Sequence, residues 1–205
     1  MEMSESVEPD PTLGAVDLFW LPLGAGGYSV RLNGRVFEAV AARVQHRSAR
    51  DLYHSALELR LPSRGRFVVE QAPIPDAHGE RRGVVVEGPV GARWAGRVRL
   101  FRYEVRRWHE GVIPDVAEAV DSPQRLSTDP VVAQGIWDDL PELPTPVWGR
   151  DDLRTGEMWN SNSIISWLIT RSGLRVDSIR PPTGGRAPGW HAGIVVARRD
   201  RSTAA

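Results

Sequence analysis

Two short segments carry residue types capable of covalent chemistry. The first is Tyr53-His54-Ser55-Ala56-Leu57-Glu58-Leu59, followed after a turn by Phe67-Val68-Val69-Glu70. It sets a histidine near the start of a strand that leads into a hairpin. The second is Trp159-Asn160-Ser161-Asn162-Ser163-Ile164-Ile165-Ser166-Trp167-Leu168-Ile169. Here small polar residues open an apolar helix, and Ser161 shares a helical face with Ile164, Ile165 and Leu168. Backbone N–H groups and the dipole at a helix start favour a developing negative charge. A nucleophile there, with a histidine from a facing strand as base, is the arrangement of thiol hydrolases. The same Asn-Ser-Asn-Ser run also reads as a capped helix start without catalytic duty.

A third residue would have to hold the imidazole, and hairpin register decides which. If Leu61 pairs with Arg66, Gln71 lies opposite Ala56 and shares the face of His54. A register shifted by one gives that face to Glu70. The sequence leaves both open. His54, Ser161 and either Glu70 or Gln71 are the catalytic candidates. Tyr53, Trp159, Asn160 and Asn162 flank them as candidate substrate-binding residues.

In this order, the two segments resemble the circularly permuted papain-like superfamily, which includes permuted NlpC-type amidohydrolases, lecithin retinol acyltransferase-like proteins and PPPDE-like proteins. His54 matches the strand histidine of that superfamily. Phe67-Val68-Val69-Glu70 resembles the strand that often follows it. Asn160-Ser161-Asn162 matches its Asn-Cys-Asn, with serine in the cysteine position. The resemblance covers roughly 51–72 and 158–173. It implies a small antiparallel, barrel-like sheet packed on helices, and a cleft between Ser161 and His54. Serine needs a far stronger base than a thiol does. The resemblance therefore implies a non-catalytic member that binds a peptide, lipid or other small ligand. The alternative is a serine-dependent amide or ester hydrolase or acyltransferase.

The elements that must position these residues form a mixed pattern. An apolar strand is expected at 17–23, closed by Gly24, Gly26 and Gly27. A helix follows from Asn33 to Val44 on the spacing of Val36, Phe37, Val40 and Val44, although Asn33-Gly34 could instead turn a hairpin. Residues 53–61 alternate cleanly and 66–71 return. Further strands are expected at 84–87, 97–106 and 192–197. Short helices are expected at 115–120 and 130–140, and the best helix at 160–172, ending at Gly173. Strands and helices do not alternate regularly, which favours an α+β class. One domain over 12–198 is expected between disordered tails at 1–11 and 199–205.

Composition narrows the function classes. The 205 residues include no cysteine and no lysine, with 26 basic residues against 26 acidic. That excludes disulfides, thiolate metal sites, a cysteine nucleophile, a lysine Schiff base and a lysine-bearing phosphate loop. No metal or other cofactor is expected. Zero net charge gives no bulk attraction to nucleic acid or to a membrane. With neither a signal-peptide pattern nor an 18-residue apolar run, a cytoplasmic chain without a membrane partner is expected. Arg97, Arg99, Arg102, Arg106 and Arg107, interleaved with Phe101, Tyr103 and Trp108, are a distant candidate for an RNA or anionic ligand. A solvated strand face is the plainer reading. The loop at 181–189 has glycines enough to cradle an anion but reads as structural. His46, His78, His109 and His191 are weaker candidates than His54.

Overall fold

The computed structural model describes residues 14–23, 43, 46, 48–73 and 83–204. The expected tail at 1–11 lies outside them, as do the glycines after the first strand and nearly all of the helix expected at 33–44. The described residues form a mixed α+β fold. Six antiparallel strands make one sheet: β1 (Ala15–Pro22), β2 (Tyr53–Leu61), β3 (Gly65–Pro73), β4 (Val84–Pro89), β5 (Arg102–His109) and β6 (Val120–Ser127). They lie side by side in the order β4-β5-β3-β2-β1-β6. Among the described residues, the sheet is accompanied by the helices α1 (Pro130–Asp139), α2 (Ser161–Arg171) and α3 (Trp190–Ala204).

Period-two alternation divides the side chains between two faces. One face carries Leu18, Trp20, Leu57, Leu59, Val69 and Val105, and packs against Ile136, Ile164, Ile165, Leu168 and Ile194 of the helices. This is the main core. The opposite face holds a smaller cluster of Phe19, Leu21, Ala56, Val68 and Ile113. His54 pairs with Leu21 and Ser55 with Trp20, so the two neighbours in sequence belong to different faces.

Several elements depart from the sequence reading, each for a physical reason. The strand expected at 192–197 is part of α3. A short apolar run looks alike in a buried strand and a buried helix, and periodicity alone does not separate them. The polar residues expected to form a tail at 199–205 continue that helix through Ala204, and Arg199, Asp200 and Arg201 have groups to hold, Arg199 the carbonyls of Leu153 and Arg154. Asp200 accepts from Trp167 Nε1 at 3.0 Å. Arg201 donates to the carbonyls of Thr170 and Arg171 at the C-terminal end of α2, where a cation complements the dipole. Of the helix expected at 115–120, only the 3-10 turn Val116–Glu118 forms, and the chain then enters β6. This edge strand is mostly polar and contains Pro123, which an edge position tolerates. The strand expected at 97–106 starts only at Arg102, after two 3-10 turns at Arg93–Arg97 and Arg99–Phe101.

Candidate functional site

The start of α2 is built by its own polar residues. The Asn160 side chain accepts from the N–H groups of Asn162 at 3.0 Å and Ser163 at 3.4 Å. Ser163 Oγ in turn accepts from the Asn160 N–H at 3.1 Å. This reciprocal capping box satisfies N–H groups that a helix start leaves open. Gly173, at φ +83°, follows the other end of the helix.

Asn162 then fastens this helix start to the sheet. Its Oδ1 accepts from Ser55 Oγ at 2.8 Å. Its Nδ2 donates to the carbonyls of Tyr53 and Pro188, each at 2.9 Å. The Tyr53 carbonyl belongs to the peptide whose nitrogen is that of His54, so the first turn of α2 abuts the backbone that carries the histidine. The glycine-rich loop joins the same junction. Tyr53 N–H donates to the Arg186 carbonyl at 2.8 Å, and Arg186 N–H to the Asp51 carbonyl at 2.8 Å. The loop is a strap across β2 and the helix start, as its structural reading expects.

The side chains diverge from that shared backbone. Ser161 is half-buried at the first position of α2. Ser55 points toward α2, and by alternation His54 points to the opposite face, beside the Leu21 cluster. No hydrogen bond joins Ser161 to His54 among the described residues. His54 keeps some exposure, yet the packing around its ring lowers its pKa to about 4. Desolvation is the dominant cause, and the carboxylate of Asp115 opposes it in part.

Register answers the question that the sequence left open. Leu61 pairs with Gly65 and Leu57 with Val69, which sets Glu70 on the face of His54 and Gln71 on the face of Ser55. Glu70 is buried, with its carboxylate 3.9 Å from Arg106 Nη1. Glu104 occupies Arg106 Nε as well. Gln71 Oε1 and Nε2 are buried with no hydrogen-bond partner among the described residues. Of the candidate substrate-binding residues, Tyr53, Trp159 and Asn162 are buried, the last two at 2% exposure. Asn160 is half-buried and donates to Pro188 O at 2.9 Å. The amides of Asn160 and Asn162 serve as joints of the fold.

These facts decide what the junction can do chemically. At neutral pH His54 is uncharged. Its basicity is roughly a hundredfold or more below that of a free histidine. Activating a serine hydroxyl demands a better base, with a partner holding its other ring nitrogen. Among the described residues no group of three or more histidines and carboxylates has the arrangement to hold a metal ion.

Sequence reasoning missed Ser55 as the partner of Asn162. Its signal was a serine on the inward side of an otherwise apolar alternation, where a hydroxyl needs a partner. The basic stretch at 97–107 does not act as one surface. Arg106 is buried, Arg107 lies over the Trp137 ring at 4.2 Å, and Arg102 bonds Glu87 at 3.1 Å.

The His54 environment predicts a pH dependence. The pKa is about 4 in the folded chain against 6.5 unperturbed, so between those values the unfolded chain binds the extra proton. Stability contributed by the neutral ring is complete above the unfolded pKa and is lost as pH falls toward the folded one. Comparing pH 7 with about pH 4.5, wild type should lose about 2 kcal/mol more than His54→Phe in urea unfolding. A ring titrating near 6.5 by NMR would remove this expectation.

No family model matches the chain, no curated protein matches it, and no solved structure matches it.

Proposed function

We propose that the chain is a non-catalytic papain-like protein that binds a peptide, lipid or other small ligand instead of hydrolysing one. The observation that carries this reading is geometric: Ser55 turns toward Asn162 of α2, so the neighbouring side chain on β2, His54, turns to the other face of the sheet, away from Ser161. Serine in the nucleophile position needs a strong base, and the imidazole that would serve it is a weakened one that stays neutral. Glu70, on the same face as that imidazole, is engaged with Arg106. The order of the His54 strand and the Ser161 helix, and their junction through Asn162, support the papain-like part of the reading. No helix is long and apolar enough to cross a membrane among the described residues. A cytoplasmic location belongs to the proposal, and a chain without cysteine needs no oxidising compartment.

A serine-dependent hydrolase is the second reading, favoured by the same contact, which brings the helix start against the His54 peptide. A fluorophosphonate probe separates the two. The folded protein should not label at Ser161, and labelling abolished by Ser161→Ala would establish the hydrolase. Ser161→Cys gives a graded readout, because the natural sequence has no other thiol. With the imidazole neutral, only the helix start lowers the thiol pKa. The midpoint of iodoacetamide alkylation should fall at about 7–8.5. A midpoint below about 5 would mean that a thiolate–imidazolium pair forms and that the site is disarmed by one atom alone.

A further inference from the structure

We infer that the turn segment between β4 and β5 docks the protein onto an anionic lipid surface. Over eight residues it exposes four large apolar side chains: Trp94 at 75%, Leu100 at 62%, Val98 at 53% and Phe101 at 46%. Folded surfaces rarely gather so much apolar area in so short a stretch unless it meets something. The exposure is built into the backbone. Val98 N–H donates to Ala95 O and Phe101 N–H to Val98 O, each at 2.9 Å, and Val90 N–H ties back to Phe101 O at 2.8 Å. Ala95 is buried as the anchor, and Gly96 packs against Pro89. A segment held this way presents its side chains without first having to be ordered.

Charge identifies the occupant. No acidic residue lies between Glu87 and Glu104, and the stretch carries Arg93, Arg97, Arg99 and Arg102. Arg93 is paired with Asp152 and Arg102 with Glu87. Arg97 and Arg99 are exposed and make no ion pair among the described residues. A tryptophan and aliphatic tips between exposed guanidinium groups suit the boundary of a bilayer, with rings at headgroup depth and arginines on phosphate. Single-stranded nucleic acid fits less well, because Val98 and Leu100 offer no ring on which a base can stack. The zero net charge of the whole chain conceals this local excess, and the inference departs from the sequence-based expectation of no membrane partner. The inference is independent of the reading of the helix start.

The test is co-sedimentation of the full chain with vesicles of phosphatidylcholine containing about 30% phosphatidylserine, at low salt. Wild type should pellet with these vesicles and not with pure phosphatidylcholine. The pairs Trp94→Ser with Leu100→Ser, and Arg97→Gln with Arg99→Gln, should each lower the bound fraction at least about fivefold. Val131→Ser, at an equally exposed residue on α1, should leave it unchanged. Failure of wild type to pellet would overturn the inference, as would binding that survives both pairs. A mobility shift of single-stranded RNA without vesicle binding would overturn it in favour of nucleic acid. Self-association lost in Trp94→Ser, again without vesicle binding, would assign the segment to a second copy of the chain.

Discussion

Gly193→Ala should cost about 3 kcal/mol and lower the melting temperature by about 10 °C. Gly193 lies in the first turns of α3, where that helix crosses α2. A Cβ there would stand inside contact distance of the Ser163 carbonyl oxygen and of Ser166 Oγ. Neither can step aside. The carbonyl is helix backbone, and Ser166 Oγ is engaged with Trp190 O at 2.7 Å. Ser163 Oγ bonds Gly189 O at 2.8 Å just before α3 begins. The helices meet over glycine and serine, so the closest approach leaves no room for a side chain. Gly135→Ala supplies the control. That glycine lies inside α1, and a methyl group added to it would meet nothing within 4 Å. The same chemical change there should stabilise by up to about 1 kcal/mol, because it lowers the entropy of the unfolded chain and favours helix. Opposite signs in thermal unfolding would establish the crossing. A Gly193→Ala cost below about 1 kcal/mol would mean that α2 and α3 do not meet this way.

The same crossing explains what can be read in the sequence and what cannot. The strand at 53–61 is legible because, Ser55 apart, every second residue is apolar and that face is buried. The helix that follows Asn160 is legible because its polar start and apolar run satisfy the rules for an N-cap. Both signals are local. Ala192-Gly193-Ile194-Val195-Val196-Ala197 reads as a strand in isolation because its identity depends on a distant partner. Gly193 lets α2 approach, and Asp200 and Arg201 hold groups on α2. The β6 strand escapes the sequence for the complementary reason. An edge strand that buries little needs no apolar alternation, and its pairing with β1 leaves few marks on composition. At the candidate site, residue types and order are legible, but orientation is not. A one-residue change of register moves every side chain to the other face, and the turn that sets it here pairs Leu61 with Gly65. That pairing puts Glu70 on the face of His54. The face on which His54 lies is built by residues scattered along the chain, including Phe19, Val68 and Ile113, which no local motif connects.

Asn162→Ala should cost about 3 kcal/mol in urea unfolding. Its amide makes three hydrogen bonds in three directions, to Ser55 Oγ, Tyr53 O and Pro188 O. Alanine would leave the Tyr53 carbonyl and the Ser55 hydroxyl without that partner, the Pro188 carbonyl keeping the Asn160 amide, in a place where the asparagine itself is 2% exposed. Each buried group so stranded carries a desolvation penalty, which exceeds the net value of the bond when made. Asn162→Asp separates the parts of this effect. The carboxylate can still accept from Ser55 and is favoured by the helix start, but it can no longer donate, and it sets a charge against two carbonyl oxygens. It should be no better than alanine. Ser55→Ala removes a single bond and should cost about 1 kcal/mol, and the double variant should cost less than the two singles added together. Such coupling would identify Asn162 as the joint between the helix start and the strand that carries His54. A cost for Asn162→Ala below about 1 kcal/mol would instead free its amide for a ligand and return it to the candidate binding residues.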